Sequence, residues 1–206
     1  MIGVDVGLCT LGEARARHVL TELMLMAGVV PAAGEAALSI SYGYLKPATP
    51  KPRLIIPYES PHIARDIPPD VYDDDGVDVP ALFLSRPPHG EVLTKTRGGH
   101  PLITRTGKTI HFGLDVVSAA DYFLNARGEI GWPRDNHDRP LISGAPSWRG
   151  DVLGVTVVNR YASLLARGVA AACREVGLPT LRFRLWPGNQ KFALALSYDV
   201  DRLRPG

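Results

Sequence analysis

Leu185-Trp-Pro-Gly-Asn-Gln-Lys-Phe-Ala-Leu-Ala-Leu-Ser-Tyr-Asp-Val-Asp-Arg-Leu-Arg204 is the stretch on which the reading of this chain turns. Pro187-Gly188-Asn189 marks a turn, and the apolar run from Phe192 to Leu196 suits a buried strand. That run ends in two carboxylates, Asp199 and Asp201. Positions i and i+2 of a strand point to the same face, so the pair can project into one site. Two carboxylates so placed can bind a divalent cation and take a proton from its bound water, although the same pair also occurs as a solvated strand end. Only five residues follow Asp201, and the chain is expected to stop before such a site is complete.

Working back toward the amino terminus, the pattern alternates helices and β-like runs. Leu11 to Ala27 is dense in apolar residues and helix formers, and Gly28 is placed to end a helix. Ala37 to Tyr44 and Arg53 to Tyr58 read as strands separated by Lys46-Pro-Ala-Thr-Pro-Lys-Pro52, and are expected to pair as a hairpin. Residues 59–80 read as a surface loop rich in Pro and Asp, Ala81 to Leu84 as a short strand, and Arg86 to Gly107 as irregular. Thr109 to Phe112 reads as a strand, Asp115 to Ala126 as an amphipathic helix and residues 128–152 as a polar loop. Val155 to Val176 reads as a long helix closed by Gly177-Leu-Pro179, and Leu181 to Leu185 as one more strand. The fold class this implies is α/β, a mixed sheet with covering helices. The domain boundary falls at Pro187-Gly188, so that residues 1–185 form an accessory domain and residues 186–206 begin another unit.

Composition sets limits on partners. The 206 residues are 45% hydrophobic and 21% charged, which suits a globular chain with a sizeable core. A net charge of +2 gives no case for nucleic acid or an anionic membrane surface as partner. No apolar run approaches the roughly 20 residues needed to span a bilayer. The start, Met1-Ile-Gly-Val-Asp-Val-Gly7, lacks the basic and apolar regions of a secretory signal, so a cytoplasmic setting is expected. Cys9 and Cys173 have no CxxC spacing and are expected to pack as small hydrophobes.

The run from Trp186 to Asp201 resembles the opening of the polysaccharide deacetylase (NodB-homology) domain. The first motif of that family is a strand ending in Thr/Ser-Phe/His/Tyr-Asp, followed by a second Asp. Further upstream, Leu114 to Glu129, Arg134-Asp-Asn-His-Asp-Arg139 and Val155-Thr-Val-Val-Asn-Arg-Tyr161 resemble an uncharacterised domain that precedes some bacterial deacetylases. Two positions differ from its pattern. Asn125-Ala126 stands where Ser-Arg is usual, and Asp138 stands where the D-x-H-G-R motif has glycine. The resemblance implies the front of a metal-dependent amidase acting on N-acetylated glycans, ending in the first strand of an incomplete deacetylase-type (β/α) barrel. In the intact protein the products would be acetate and a free amino sugar. Asp199 would match the general base and Asp201 the metal-binding aspartate, the cofactor being a divalent metal, zinc by resemblance. The metal's further ligands come from an H-x-x-x-H motif, and the histidines at 18, 62, 89, 100, 111 and 137 offer no such pair. This chain alone is therefore expected to be inactive, its natural partner being its own downstream catalytic domain.

Other clusters carry weaker readings. Asp135, His137 and Arg139 can recognise a sugar or brace the catalytic domain, or simply hold a polar turn. Asp73-Asp-Asp-Gly76 suggests a calcium loop, but position twelve counted from Asp73 is Leu84 where a Glu is required. Gly3 to Gly7 is similar to a phosphate turn of the actin and sugar-kinase class, yet a helix rather than a second strand is expected after it. Gly98-Gly99-His100 reads as a turn. The alternative to an enzyme is a non-catalytic glycan- or protein-binding module, which Trp132 and Trp148 grouped on one surface would favour.

Overall fold

The computed structural model describes residues 2–7, 9, 11–30, 37–43, 53–58, 69–145 and 155–179. Among the described residues, eight strands and three α-helices follow one another in the order β1 (Ile2–Val6), α1 (Glu13–Met26), β2 (Leu38–Tyr42), β3 (Arg53–Ile56), β4 (Val71–Asp74), β5 (Val77–Pro80), β6 (Glu91–Lys95), β7 (Pro101–Thr106), β8 (Thr109–Phe112), α2 (Val116–Leu124) and α3 (Val157–Glu175). Short 3-10 turns lie at Arg127–Glu129 and Ile142–Gly144. Six strands form one sheet in the order β1-β2-β3-β8-β7-β6, while β4 and β5 form a separate hairpin. β1, β2, β3 and β8 run parallel; β7 and β6 extend the sheet antiparallel. The expected α/β mixed sheet with covering helices is what forms.

The period of two along each strand explains how the layers divide. Register places Val4, Ile40, Leu54 and Ile110 in one row across the parallel strands. Val6, Tyr42 and Ile56 fall in a second row on the same face, which Phe112 continues on β8. This is the face that α3 covers: a Cβ added at Gly168 would lie 2.6 Å from Phe112 Cζ and 3.2 Å from Leu54 Cδ1. The helix therefore approaches the sheet at a position where only hydrogen fits. α1, α2 and α3 also pack on one another. The intervening positions form the opposite row, Asp5, Ser41, Ile55, His111 and Thr104, so the sheet is apolar toward its helices and largely polar behind.

Local chemistry sets the helix ends. Gly28 at φ 72° and Gly177 at φ 68° adopt the left-handed conformation just past α1 and α3. At the first, Gly28 N–H bonds Leu25 O and Val29 N–H bonds Met24 O; at the second, Gly177 N–H bonds Arg174 O and Leu178 N–H bonds Cys173 O. Both glycines stand where the sequence places a stop. Asp115 caps α2, its Oδ1 accepting the Ser118 N–H at 2.8 Å. Such a cap contributes about 1 kcal/mol.

Four expectations need correction. β2 and β3 are parallel, not a hairpin; alternation fixes which face a strand buries but carries no information on its direction. The expected loop over 59–80 contains the β4–β5 hairpin, turned at Asp75-Gly76 with φ 55° and 78°. Two left-handed residues make the turn that Asp-Gly favours, and they account for the acidic run that suggested calcium. Ala81 to Leu84 is no strand, Leu84 making a single bridge to Leu114. Ala81 and Leu82 are apolar because they enter the core. The stretch read as irregular, 86–107, holds β6 and β7; Gly98-Gly99 lies in the turn between them and Gly107 in the turn after. The expected strand at 181–185, the terminal strand and the boundary at 187–188 lie outside the described residues.

Candidate functional site

The polar turn that sequence singled out is organised by one carboxylate. Asp135 accepts the backbone N–H of His137 at 2.8 Å and of Arg139 at 2.9 Å, and the Arg139 Nε at 3.0 Å. Its own N–H returns to Arg139 O at 3.0 Å, and Arg134 and Pro140 pair across the base of the turn. The Arg139 N–H does most to hold the Asp135 carboxyl below its usual range, and with the other donors it outweighs the opposing effect of desolvation. Asp138 adopts φ 61° in the left-handed region, with its carbonyl accepting Arg134 Nη1 at 2.6 Å. The structure brings Asp135 and Arg139 together; His137 contributes its backbone N–H, and its side chain is exposed. A Cβ added at Gly144 would lie 2.9 Å from Trp132 Cγ, so the half-buried indole rests on that glycine. Trp148, Asp199 and Asp201 lie outside the described residues.

A second cluster occupies the carboxyl ends of the parallel strands, where open α/β sheets commonly place ligands. Tyr42 donates its hydroxyl to Asp115 Oδ2 at 3.2 Å and lies 3.2 Å from Ser118 Oγ. Tyr42 and Asp115 are fully buried and Ser118 nearly so, so the group is closed to solvent. Burial, and then the Asp115 charge, push the Tyr42 phenol far above its ordinary value. Cys9 follows β1, and burial likewise pushes its thiol upward despite hydrogen bonding from the backbone at Leu11 and Gly12. At neutral pH both stay protonated, so neither the Tyr42 phenol nor the Cys9 thiol is a ready nucleophile.

Two buried carboxylates bind the layers together, and neither was singled out from sequence. Asp121 on α2 meets Arg15 Nε of α1 and Arg127 Nε, each at 2.6 Å, and accepts Asn125 Nδ2 at 2.8 Å. Asp74 on β4 meets Arg160 Nη1 at 3.1 Å and Arg167 Nη2 at 2.8 Å, and accepts Ser163 Oγ at 3.2 Å, all from α3. Tyr161 completes the docking of that hairpin by donating to Pro80 O at 2.8 Å. The helical spacing of Arg160, Ser163 and Arg167 on one face is the trace these contacts leave in the sequence; Asp74 was hidden within an acidic turn.

No group of three His, Cys, Asp or Glu able to hold a metal occurs among the described residues. No helix among them is long and apolar enough to cross a membrane. Comparison with family models, with curated proteins and with solved structures finds no match.

Proposed function

We propose that residues 1–185 are the accessory domain of a metal-dependent polysaccharide N-deacetylase, and that residues 186–206 open its catalytic barrel. The observation that carries this reading is the run Ser197-Tyr-Asp-Val-Asp201, placed after an α/β unit whose last described helix ends at Glu175. Support comes also from Asp138. Its φ of 61° is the conformation that favours glycine, the residue the resembling motif carries there. Both cysteines are free, in keeping with a reducing, cytoplasmic setting.

In this reading the zinc site is incomplete within the 206 residues: Asp201 offers one carboxylate, and no two histidines stand at H-x-x-x-H spacing. In this reading the remaining ligands belong to the intact protein, as does the N-acetylated glycan substrate. Asp199 would serve as general base and Asp201 as one metal ligand there, while Asp135 and Arg139 brace a turn of the accessory domain.

The test is acetate release from N-acetylglucosamine oligomers by the intact protein, lost in both Asp199→Asn and Asp201→Asn. The 206-residue chain should release none and bind zinc no better than a surface carboxylate pair. Tight stoichiometric zinc binding by this chain, abolished in Asp201→Ala, would sink the assignment of an incomplete site. A non-catalytic binding module is the second reading, favoured by the exposed apolar side chains of Leu124, Ile130 and Leu141. Saturable glycan binding by an intact protein that releases no acetate would select it.

A further inference from the structure

Asp121 is fully buried, yet two arginines meet it where one would neutralise it. Arg15 and Arg127 both approach through Nε, so the two terminal Nη groups of each guanidinium remain unspent. Among the described residues neither arginine has a further hydrogen-bond acceptor. Their side chains are 39% and 30% exposed, which leaves those Nη groups within reach of a solute. The balance of the three charges is +1. Arg15 also stands in the first turn of α1, where unpaired N–H groups and the helix dipole already make the potential positive. Gly12 supplies no side-chain cap there, and Glu13, the acidic residue of that turn, is engaged by Arg17 at 3.2 Å. A cation in that position is disfavoured unless anions gather round it, and one buried carboxylate answers only half of the charge.

We propose that Arg15 and Arg127 form a binding site for an oxyanion, the carboxylate or phosphate group of a small molecule, with Asp121 as the positioning residue. Guanidinium forks recognise planar and tetrahedral oxyanions through paired N–H donors, and a fork already held in place loses less freedom on binding. Asp121 supplies that order by accepting Arg15 Nε and Asn125 Nδ2 at Oδ1 and by holding Arg127 through charge at Oδ2, which accepts no hydrogen bond among the described residues.

The experiment titrates the chain with inorganic phosphate and, separately, with acetate at constant ionic strength, reading the arginine Nε–H resonances by NMR. Saturable shifts of Arg15 and Arg127 with one shared Kd, and none at Arg17 or Arg134, are expected. Tighter binding of either anion supports the site and assigns the ligand geometry. Arg127→Gln keeps the Arg15–Asp121 pair and should weaken binding about tenfold or more, since a hydrogen bond to a charged group is lost. Linear, unsaturable shifts common to all arginines would overturn the proposal, as would an unchanged Kd in Arg127→Gln. Should that variant fail to fold, the wild-type titration decides alone.

Discussion

Asp121 and Asp135 lie fourteen positions apart in the chain, and both are carboxylates paired with arginine, but they belong to different kinds of structure. Every partner of Asp135 named above lies within four residues, and the turn is exposed. Asp121 is sealed from solvent, and its partner Arg15 comes from 106 residues away. Asp74 repeats the second case, with Arg160 and Arg167 reaching it across 86 and 93 residues. A local carboxylate shapes a loop; a buried one decides which elements become neighbours. The energetic consequence follows from solvent. Exposed ion pairs contribute about 0–1 kcal/mol, whereas removing one partner of a buried pair costs several kcal/mol because the other charge stays behind.

Substitutions can break that contrast, beginning with Asp121→Ala. It should destabilise the fold by about 3 kcal/mol, the lower end for a broken buried pair because both arginines retain some contact with water. Urea unfolding checks this, and a loss below about 1 kcal/mol would put Asp121 in the same class as an exposed pair. Next comes Gly168→Ala, where the added methyl meets Phe112 and Leu54. Overpacking costs about 1–3 kcal/mol and better helix propensity returns about 1, so a net loss of about 1 kcal/mol is expected in thermal unfolding. A gain in stability would mean that α3 stands farther from the sheet.

Asp138→Gly has the opposite sign. Relieving a left-handed non-glycine residue should stabilise by about 0.5–1 kcal/mol, since Arg134 bonds the backbone carbonyl and keeps that partner. Unchanged or reduced stability would show that the side chain of Asp138 contributes more than its backbone strain costs. The smallest expected effect is the response of the Asp135 turn to acid. Its folded carboxyl titrates below the ordinary value of 3.8. Its contribution is therefore complete above that value and disappears as pH falls through the folded one. Backbone amide shifts of His137 and Arg139 should move together in that window; movement already at higher pH would contradict the hydrogen bonding described.

His111 sharpens the same contrast from the polar face of the sheet. Burial lowers its pKa beneath the ordinary 6.5. The unfolded chain thus takes up the proton first, and stability should fall as pH drops below that value until the folded imidazole also protonates. The His111→Gln variant should lose this component of the pH profile, and an unaltered profile would assign it elsewhere.

How much was legible in the sequence follows the same division. Helices α1, α2 and α3 and strand β8 stand within about two residues of where periodicity and capping residues place them. Gly28, Asp115 and Gly177 are local devices, acting on hydrogen bonds within a few positions, and their residue types announce them. The Asp75-Gly76 hairpin was equally local but was hidden by an acidic run that drew attention to metal binding. Asp135 and Arg139 could be picked out as a cluster because they are near in sequence. Arg15, Asp121 and Arg127 could not.

Sequence by itself determined where the three described α-helices lie and stop and where strands β2, β3 and β8 run, because propensity, capping and periodicity are interactions over a few residues. The tertiary structure alone decided that β2 and β3 run parallel, that β6 and β7 extend the sheet, and that Asp74 and Asp121 each gather two arginines. Strand direction, and the meeting of Asp121 with Arg15 and of Asp74 with Arg160 and Arg167, depend on segments far apart in the chain, brought together only when the apolar faces of sheet and helices leave water together.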